Sequence, residues 1–260
     1  MQSIRLVIKI ARFYSSELFT YPFETLAQLT RRILTVGMLL LFWSLVAKDN
    51  DVAIVQIVPY IFIASGVLFL TVGQNFPQAS RISEDIKSGA LNNILLKPVS
   101  ELDYQLGAYF GRSILEFIFS LINTALGLLL LDGLTASKAV LFVISLVPAF
   151  FIGYALNIMI AASAFWIIEI SKFRMLSYFI LRIISGLFMP LTFFGSFWSE
   201  FLQHLPFAQL AFVPSFILTS DDPQKALTLM LVGAVEAILM MVLAKLIWRQ
   251  GLKRYGAVGV

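Results

Sequence analysis

Apolar residues dominate this chain in long runs. A membrane-spanning helix needs about 20 mainly apolar residues, and six stretches meet that need. They run from about Leu29 to Val46, from Val52 to Gly73, from Tyr104 to Leu131, between Lys138 and Glu169, from Met175 to Phe194, and between Lys225 and Lys245. The second carries no charge, and Pro148 is expected to kink the fourth. Strands of a membrane barrel would alternate apolar and polar over about ten residues, whereas these stretches are apolar on all sides. The pattern predicts an all-α integral membrane protein of six transmembrane helices.

The segments between the spans are informative. Residues 74–103 form the largest piece predicted to lie in the cytoplasm, and Arg81 to Leu91 within it carries both signs of charge. Ser83 is expected to cap a short helix there, with Glu84 and Asp85 in its first turn, where the helix dipole favours carboxylates. Gly89 is expected to end it, and Pro98 to stop a second short stretch that includes Lys97. A short charged knob joined directly to two spans is suited to transmitting a push. The bland alternative is an ordinary surface loop.

Residues 195–222 are too apolar for a free loop and too broken to span. They hold Phe197, Trp198, Phe201, Phe207, Phe212 and Phe216, with Pro206 and Pro214. Short re-entrant helices in the outer leaflet would satisfy them, because backbone at that depth must be helical or packed on protein. Asp221 and Asp222 then mark the start of the last span. At the other end of the chain, Arg5, Lys9, Arg12 and Ser16 recur at helical spacing in residues 1–24. That segment suits an amphipathic helix in the inner interface, or simply a basic anchor. Its interspersed charges do not resemble a secretory signal peptide.

Composition supports the membrane assignment. Hydrophobic residues make up 59% of the 260 and charged ones 13%, against about 25% charged in soluble domains. Mean hydropathy is +0.89. A net charge of +4 fits topology against an anionic inner leaflet rather than nucleic-acid binding. Fourteen of the 19 Lys and Arg fall on the side of the termini, and only Lys48, Lys138 and Lys225 on the other, with Arg182 and Lys245 inside spans. The positive-inside rule therefore places both termini in the cytoplasm. With no Cys and a single His204, thiolate sites, disulfides and paired-His metal sites within the chain are excluded.

Catalytic signatures are missing as well. No P-loop, Gly-x-Ser-x-Gly or His-Glu-x-x-His run occurs, so the chain is not expected to be an enzyme or to carry its own cofactor. The candidate functional polar groups lie within spans, where ionisable residues are costly and point to function. Glu236 sits near the middle of the last span, as an interhelical contact or a cavity-lining group. Arg182, in the fifth span, is a possible partner for Glu236 or Glu116. Arg112 and Glu116, one turn apart, are expected to satisfy each other. Asn123 and Asn157 suit the joining of helices, and His204 suits interfacial packing.

The run Asp85-Ile86-Lys87-Ser88-Gly89-Ala90-Leu91, followed by Leu95-Leu96-Lys97-Pro98-Val99-Ser100, resembles the coupling-helix region of type-2 ABC transporter permeases, closest to the bacterial six-span subgroup of about 260 residues. Pro190 to Phe194, Trp198 and Leu205-Pro206-Phe207 resemble the outer end of the fifth span and the re-entrant helices of that family. The resemblance covers essentially the whole chain as one permease domain, residues 1–260. It implies an export permease in the bacterial cytoplasmic membrane, with two separate ABC ATPase subunits docked beneath and ATP and Mg held on those subunits. The segment from Ser83 through Glu84, Asp85, Ile86, Lys87 and Ser88 to Gly89 would seat in the ATPases, and a second permease, the same chain or a sister, would complete the path. Cargo is left open, with the apolar spans leaning toward amphipathic or hydrophobic solutes. The alternative reading is a self-contained secondary transporter or channel. It expects inverted repeats, broken helices near the midplane or a charged proton relay, and the sequence contains no evident repeat and few intramembrane charges.

Overall fold

The computed structural model describes residues 8–10, 12–13, 22–49, 54–73, 75–96, 100–167 and 169–258. Most of the N-terminal segment 1–24, together with Lys97 and Pro98, lies outside the described residues, as does the side chain of Arg112. Among the described residues the structure is helical with no strand.

Among the described residues, three helices are long and apolar enough to cross a membrane: α1 (Pro22–Asp49), α7 (Ala136–Ala162) and α11 (Pro223–Val258). Helix α11 has 36 residues, a length of about 54 Å at 1.5 Å per residue. It therefore outruns the predicted sixth span and carries Arg249, Lys253 and Arg254 beyond it. Helix α7 continues through Pro148 as one element. Helix α2 (Ile54–Thr71) is wholly uncharged but has only 18 residues, about 27 Å.

Two predicted spans are not single helices. The third divides into α5 (Glu101–Arg112) and α6 (Ile114–Leu129), which bend by 58°. Gly111 and Ser113 flank the break, a pairing that commonly marks sharp kinks. The fifth is α8 (Ile170–Ile184), which ends ten residues before the predicted Phe194. Gly186, at φ +85°, turns the chain there, and a short 3-10 turn at Leu191–Phe193 follows.

Helix α2 packs antiparallel to α6, and α7 packs parallel to α11. Gly66 and Gly127 let α2 and α6 approach closely, since a Cβ on either would sit 2.6 Å from Thr124 or Ile63 of the facing helix. Small residues serve membrane helices in this way. Helix α7 pairs with α11, and their inner ends are joined by the Phe165 and Trp248 rings at 5.6 Å. The core centres on α2, where Ile61, Ile63, Ala64, Leu68 and Phe69 are buried. The face of α1 bearing Leu34, Met38, Leu41 and Leu45 stays exposed.

The aromatic segment after α8 folds into two short helices, α9 (Ser196–Gln203) and α10 (Phe212–Thr219), around a 3-10 turn at Pro206–Leu210. Ala208, Gln209, Leu210 and Ala211 at its tip are buried, packed on α7 and α11. Phe197, Trp198 and Phe201 of α9 remain exposed. Asp222 accepts a hydrogen bond from the Lys225 N–H at 2.9 Å, capping α11 just before Pro223. Asp221 instead pairs with Lys138 at 3.1 Å.

Candidate functional site

The polar knob consists of α3 (Pro77–Ser88), Gly89 and α4 (Leu91–Leu95). Helix α3 starts six residues earlier than Ser83. Pro77 occupies its first turn, a position whose N–H needs no partner. Ser83 is therefore not a cap. It lies buried in mid-helix, and its hydroxyl donates to the Ala79 carbonyl at 2.6 Å, while Glu84 and Asp85 fall in the second half of the helix. Gly89 takes the left-handed conformation at φ +77° and closes α3.

Helical spacing sorts the knob into two faces. Ala79, Ile82, Ser83, Ile86, Leu91 and Ile94 are buried, the three-to-four-residue rhythm of a packed stripe. Glu84, Lys87, Ser88, Asn92, Asn93 and Leu96 are exposed. Asn92, Asn93 and Leu96 carry no motif in the sequence, and only the turn at Gly89 brings them beside Lys87 and Ser88.

The knob is fastened to the spans. Asn157 of α7 donates through Nδ2 to the Val72 carbonyl at 3.2 Å and to Gly153 at 3.1 Å, and its Oδ1 accepts from the Ala79 N–H at 3.4 Å. One side chain thus holds both the end of α2 and the start of α3. Gly153, one turn away, lies against the Thr71 backbone with no room for a Cβ. Arg174 of α8 donates to the Asn75 carbonyl at 2.5 Å. Tyr255, near the end of α11, approaches Gly89 from below.

Within the bundle, Glu116 stands on α6 just past the bend, while the side chain of Arg112, its expected partner, lies outside the described residues. The Glu116 carboxylate accepts from Arg32 of α1 at 2.5 Å, with both side chains buried. The signal for Arg32 was its place ten residues inside a helix that begins at Pro22, which the topology argument passed over. Asn123 donates to the Phe119 carbonyl at 2.8 Å and faces Ser65 of α2 at 3.5 Å. Glu236 accepts from Gln209 at the tip between α9 and α10, at 3.2 Å, and Gln209 also donates to the Leu229 carbonyl at 3.0 Å. Arg182 meets neither Glu116 nor Glu236; its guanidinium stacks over Phe188, 4.6 Å from the ring centre. His204 sits on α9 beside Glu200.

A cleft of about 800 Å³ opens at the end opposite the knob, lined by Gln56, Tyr60, Asp132, Phe193, Phe216 and Asp221 among others. Its wall is fixed where the Tyr60 hydroxyl donates to the Gly186 carbonyl at 2.7 Å.

Apolar helices of membrane length around a clasped polar knob define a membrane-embedded protein. The chain belongs to the ABC-2 transporter family: the model described as "ABC-2 family transporter protein" matches residues 33–259. It is thus a type-2 ABC transporter permease, from a family that works with ABC ATPase subunits, which carry out the ATP hydrolysis. Comparison with curated proteins gives no match.

Proposed function

We propose that this chain is the membrane half of an ATP-driven exporter that receives its motion through α3, Gly89 and α4. In this reading the spans are α1, α2, the bent pair α5 and α6, α7, α8 with the turn that follows it, and α11. They make six passes of the cell membrane with both termini in the cytoplasm. Two ABC ATPase subunits, which hold the ATP and Mg, seat the exposed face around Glu84, Lys87 and Asn92. A second permease subunit, identical or sister, completes the path.

The observation that carries this reading is the two-faced knob. Its outer face is polar and free, and its inner face is fastened by Asn157 and Arg174 to α7 and α8. A loop without that fastening would absorb a push in its own dihedrals, whereas a helix fastened to α7 and α8 passes displacement on as shear. The basic residues agree with this orientation, since Arg81, Lys87, Arg174 and Arg249 lie toward the knob and Lys138 and Lys225 at the opposite end, each beside a carboxylate.

The test is purification of the chain from its host in mild detergent, followed by mass spectrometry of the proteins that accompany it. A stoichiometric P-loop ATPase is expected, lost on Lys87→Glu with the permease itself still folded. A preparation that carries no ATPase even after crosslinking would overturn the exporter reading in favour of a self-contained carrier.

A further inference from the structure

Helix α8 carries a polar ladder on the face it turns inward. Arg174, Tyr178 and Arg182 stand at i, i+4 and i+8, one above another on an α-helix. Tyr178 is buried and both arginines are half-buried, whereas Met175, Leu176, Phe179, Ile180 and Ile183 on the other faces are exposed. The helix therefore points its apolar residues outward and its cations toward the protein. That is the reverse of a soluble surface helix, and it leaves the half-buried cations at the margin between the protein and the exposed apolar faces.

Both arginines hold a buried Nε with no partner. Tyr178 is only 8% exposed, and its hydroxyl lies against the Asn75 backbone with its own O–H uncommitted. The Arg182 guanidinium lies 4.6 Å from the Phe188 ring centre and 6.0 Å from that of Tyr178, held by cation–π contact rather than by a carboxylate. Neither Arg174 nor Arg182 has a carboxylate within ion-pair distance among the described residues. Glu84 acts on Arg174 only from farther away. Arg32 also bears on the Tyr178 hydroxyl, and its Nε and Nη1 are likewise unpartnered. Among the described residues, the carboxylate in contact with one of these guanidiniums is Glu116, paired with Arg32.

Uncompensated positive charge is expensive in a low-dielectric setting and is relieved by an anion. Guanidinium forks match the oxygens of phosphate and carboxylate groups, and a phenol hydroxyl beside them adds a donor. The exposed Phe179, Ile180 and Ile183 next to the ladder offer an apolar flank to hydrocarbon. We infer that the inward face of α8, through Arg174, Tyr178 and Arg182, binds the anionic headgroup of an amphiphile, and that anionic amphiphiles are the cargo class of this permease. The cargo assignment rests on the exporter reading above; the binding site does not.

The experiment has two arms. In the first, the purified chain in nanodiscs of equal parts phosphatidylglycerol and phosphatidylcholine is released into native mass spectrometry, and retained lipid is counted. Preferential retention of phosphatidylglycerol is expected, weakened about tenfold by Arg182→Gln, as loss of one charged hydrogen-bond donor predicts. Arg182→Lys, which keeps the charge, should restore most of it. Arg174→Gln carries the same expectation should Arg182→Gln not give folded protein. Equal retention of the two lipids by the native chain, or a preference untouched by both glutamine variants, would overturn the site.

In the second arm, the complex with its ATPase in vesicles of the same composition is supplied with ATP, and movement of labelled phosphatidylglycerol between leaflets is measured. ATP-dependent movement lost in Arg182→Gln supports the cargo class. Retention without movement by a complex that hydrolyses ATP would overturn the cargo class and leave a site for a bound lipid. Absence of any ATPase would overturn the exporter reading alone, since the first arm needs only the chain itself.

Discussion

Arg32 of α1 and Glu116 of α6 form an ion pair at 2.5 Å, with side chains 1% and 7% exposed. It ties the first long helix to the second half of a bent span, one turn from the break at Ser113. Arg32 Nε and Nη1 and Glu116 Oε2 find no further partner, so the pair is incompletely satisfied. Breaking such a pair leaves one buried charge exposed to the full desolvation penalty. Arg32→Met or Glu116→Leu alone is expected to destabilise the protein by about 3–5 kcal/mol. The double replacement Arg32→Met with Glu116→Leu should be markedly milder than either single one, because it removes both charges. Thermal unfolding in detergent, analysed as a double-mutant cycle, measures this. Additive losses would show that the two residues do not depend on each other.

Asn157 is the fastening of the knob, with hydrogen bonds to Val72, Gly153 and Ala79. Asn157→Leu keeps the approximate volume and removes all three, leaving the Ala79 N–H and Val72 carbonyl to find other partners. Each buried group so stranded costs about 1–3 kcal/mol. The more specific expectation concerns coupling. With the clasp gone, α3 should still bind an ATPase through its outer face, yet ATP hydrolysis should no longer drive transport. Retained coupling in a stable Asn157→Leu protein would show that motion enters the spans by another route.

The helical, membrane-embedded character of the chain was legible because apolar runs report directly on burial in lipid. The knob was legible because mixed charge stands out among such runs. Its register was not. Ser83 satisfies the composition of a cap, but the chain turns earlier, at Asn75 and Phe76, where both residues take positive φ and Pro77 can open a helix. Helix breaks were also hidden. Tyr104 to Leu131 is continuous in hydropathy, and the bend at Ser113 follows from local backbone choices that hydropathy does not encode. Arg32 was missed as a partner of Glu116, because it lies 84 residues away in the sequence. Gln209 was missed for the same reason: only the hairpin of α9 and α10 brings it to Glu236.

The two faces of the knob should separate in mutagenesis. Ile86 is 6% exposed, and Ile86→Ala should cost about 2–5 kcal/mol as a buried truncation. Lys87→Glu and Asn92→Asp on the outer face should change stability by less than about 0.5 kcal/mol. The outer changes should instead weaken capture of the ATPase, more strongly at low salt, as expected for exposed charges. Thermal unfolding of the chain alone and pull-down of the ATPase on the same variants give the two readouts. Equal loss of stability from both faces would mean that the outer face is packed rather than free.

Gln209 and Glu236 present the clearest choice between scaffold and path. The Gln209 amide nitrogen donates to the Leu229 carbonyl and to Glu236, and the amide fits against Gly233, where a Cβ would fall 2.5 Å from it. The tip of the hairpin is thereby locked onto α11. If Glu236 serves only this lock, Glu236→Gln should be nearly silent, because its carbonyl oxygen still accepts the same hydrogen bond. Gln209→Ala should cost about 1–3 kcal/mol through the lost hydrogen bonds and the space left behind. Gly233→Ala should do at least as much by pushing the tip away. Thermal unfolding orders the three variants, and ATP-driven transport by the complex is measured beside it. A Glu236→Gln protein that unfolds normally yet no longer transports would move Glu236 from the scaffold to the translocation path, and would make its carboxylate rather than its hydrogen bond the group that matters.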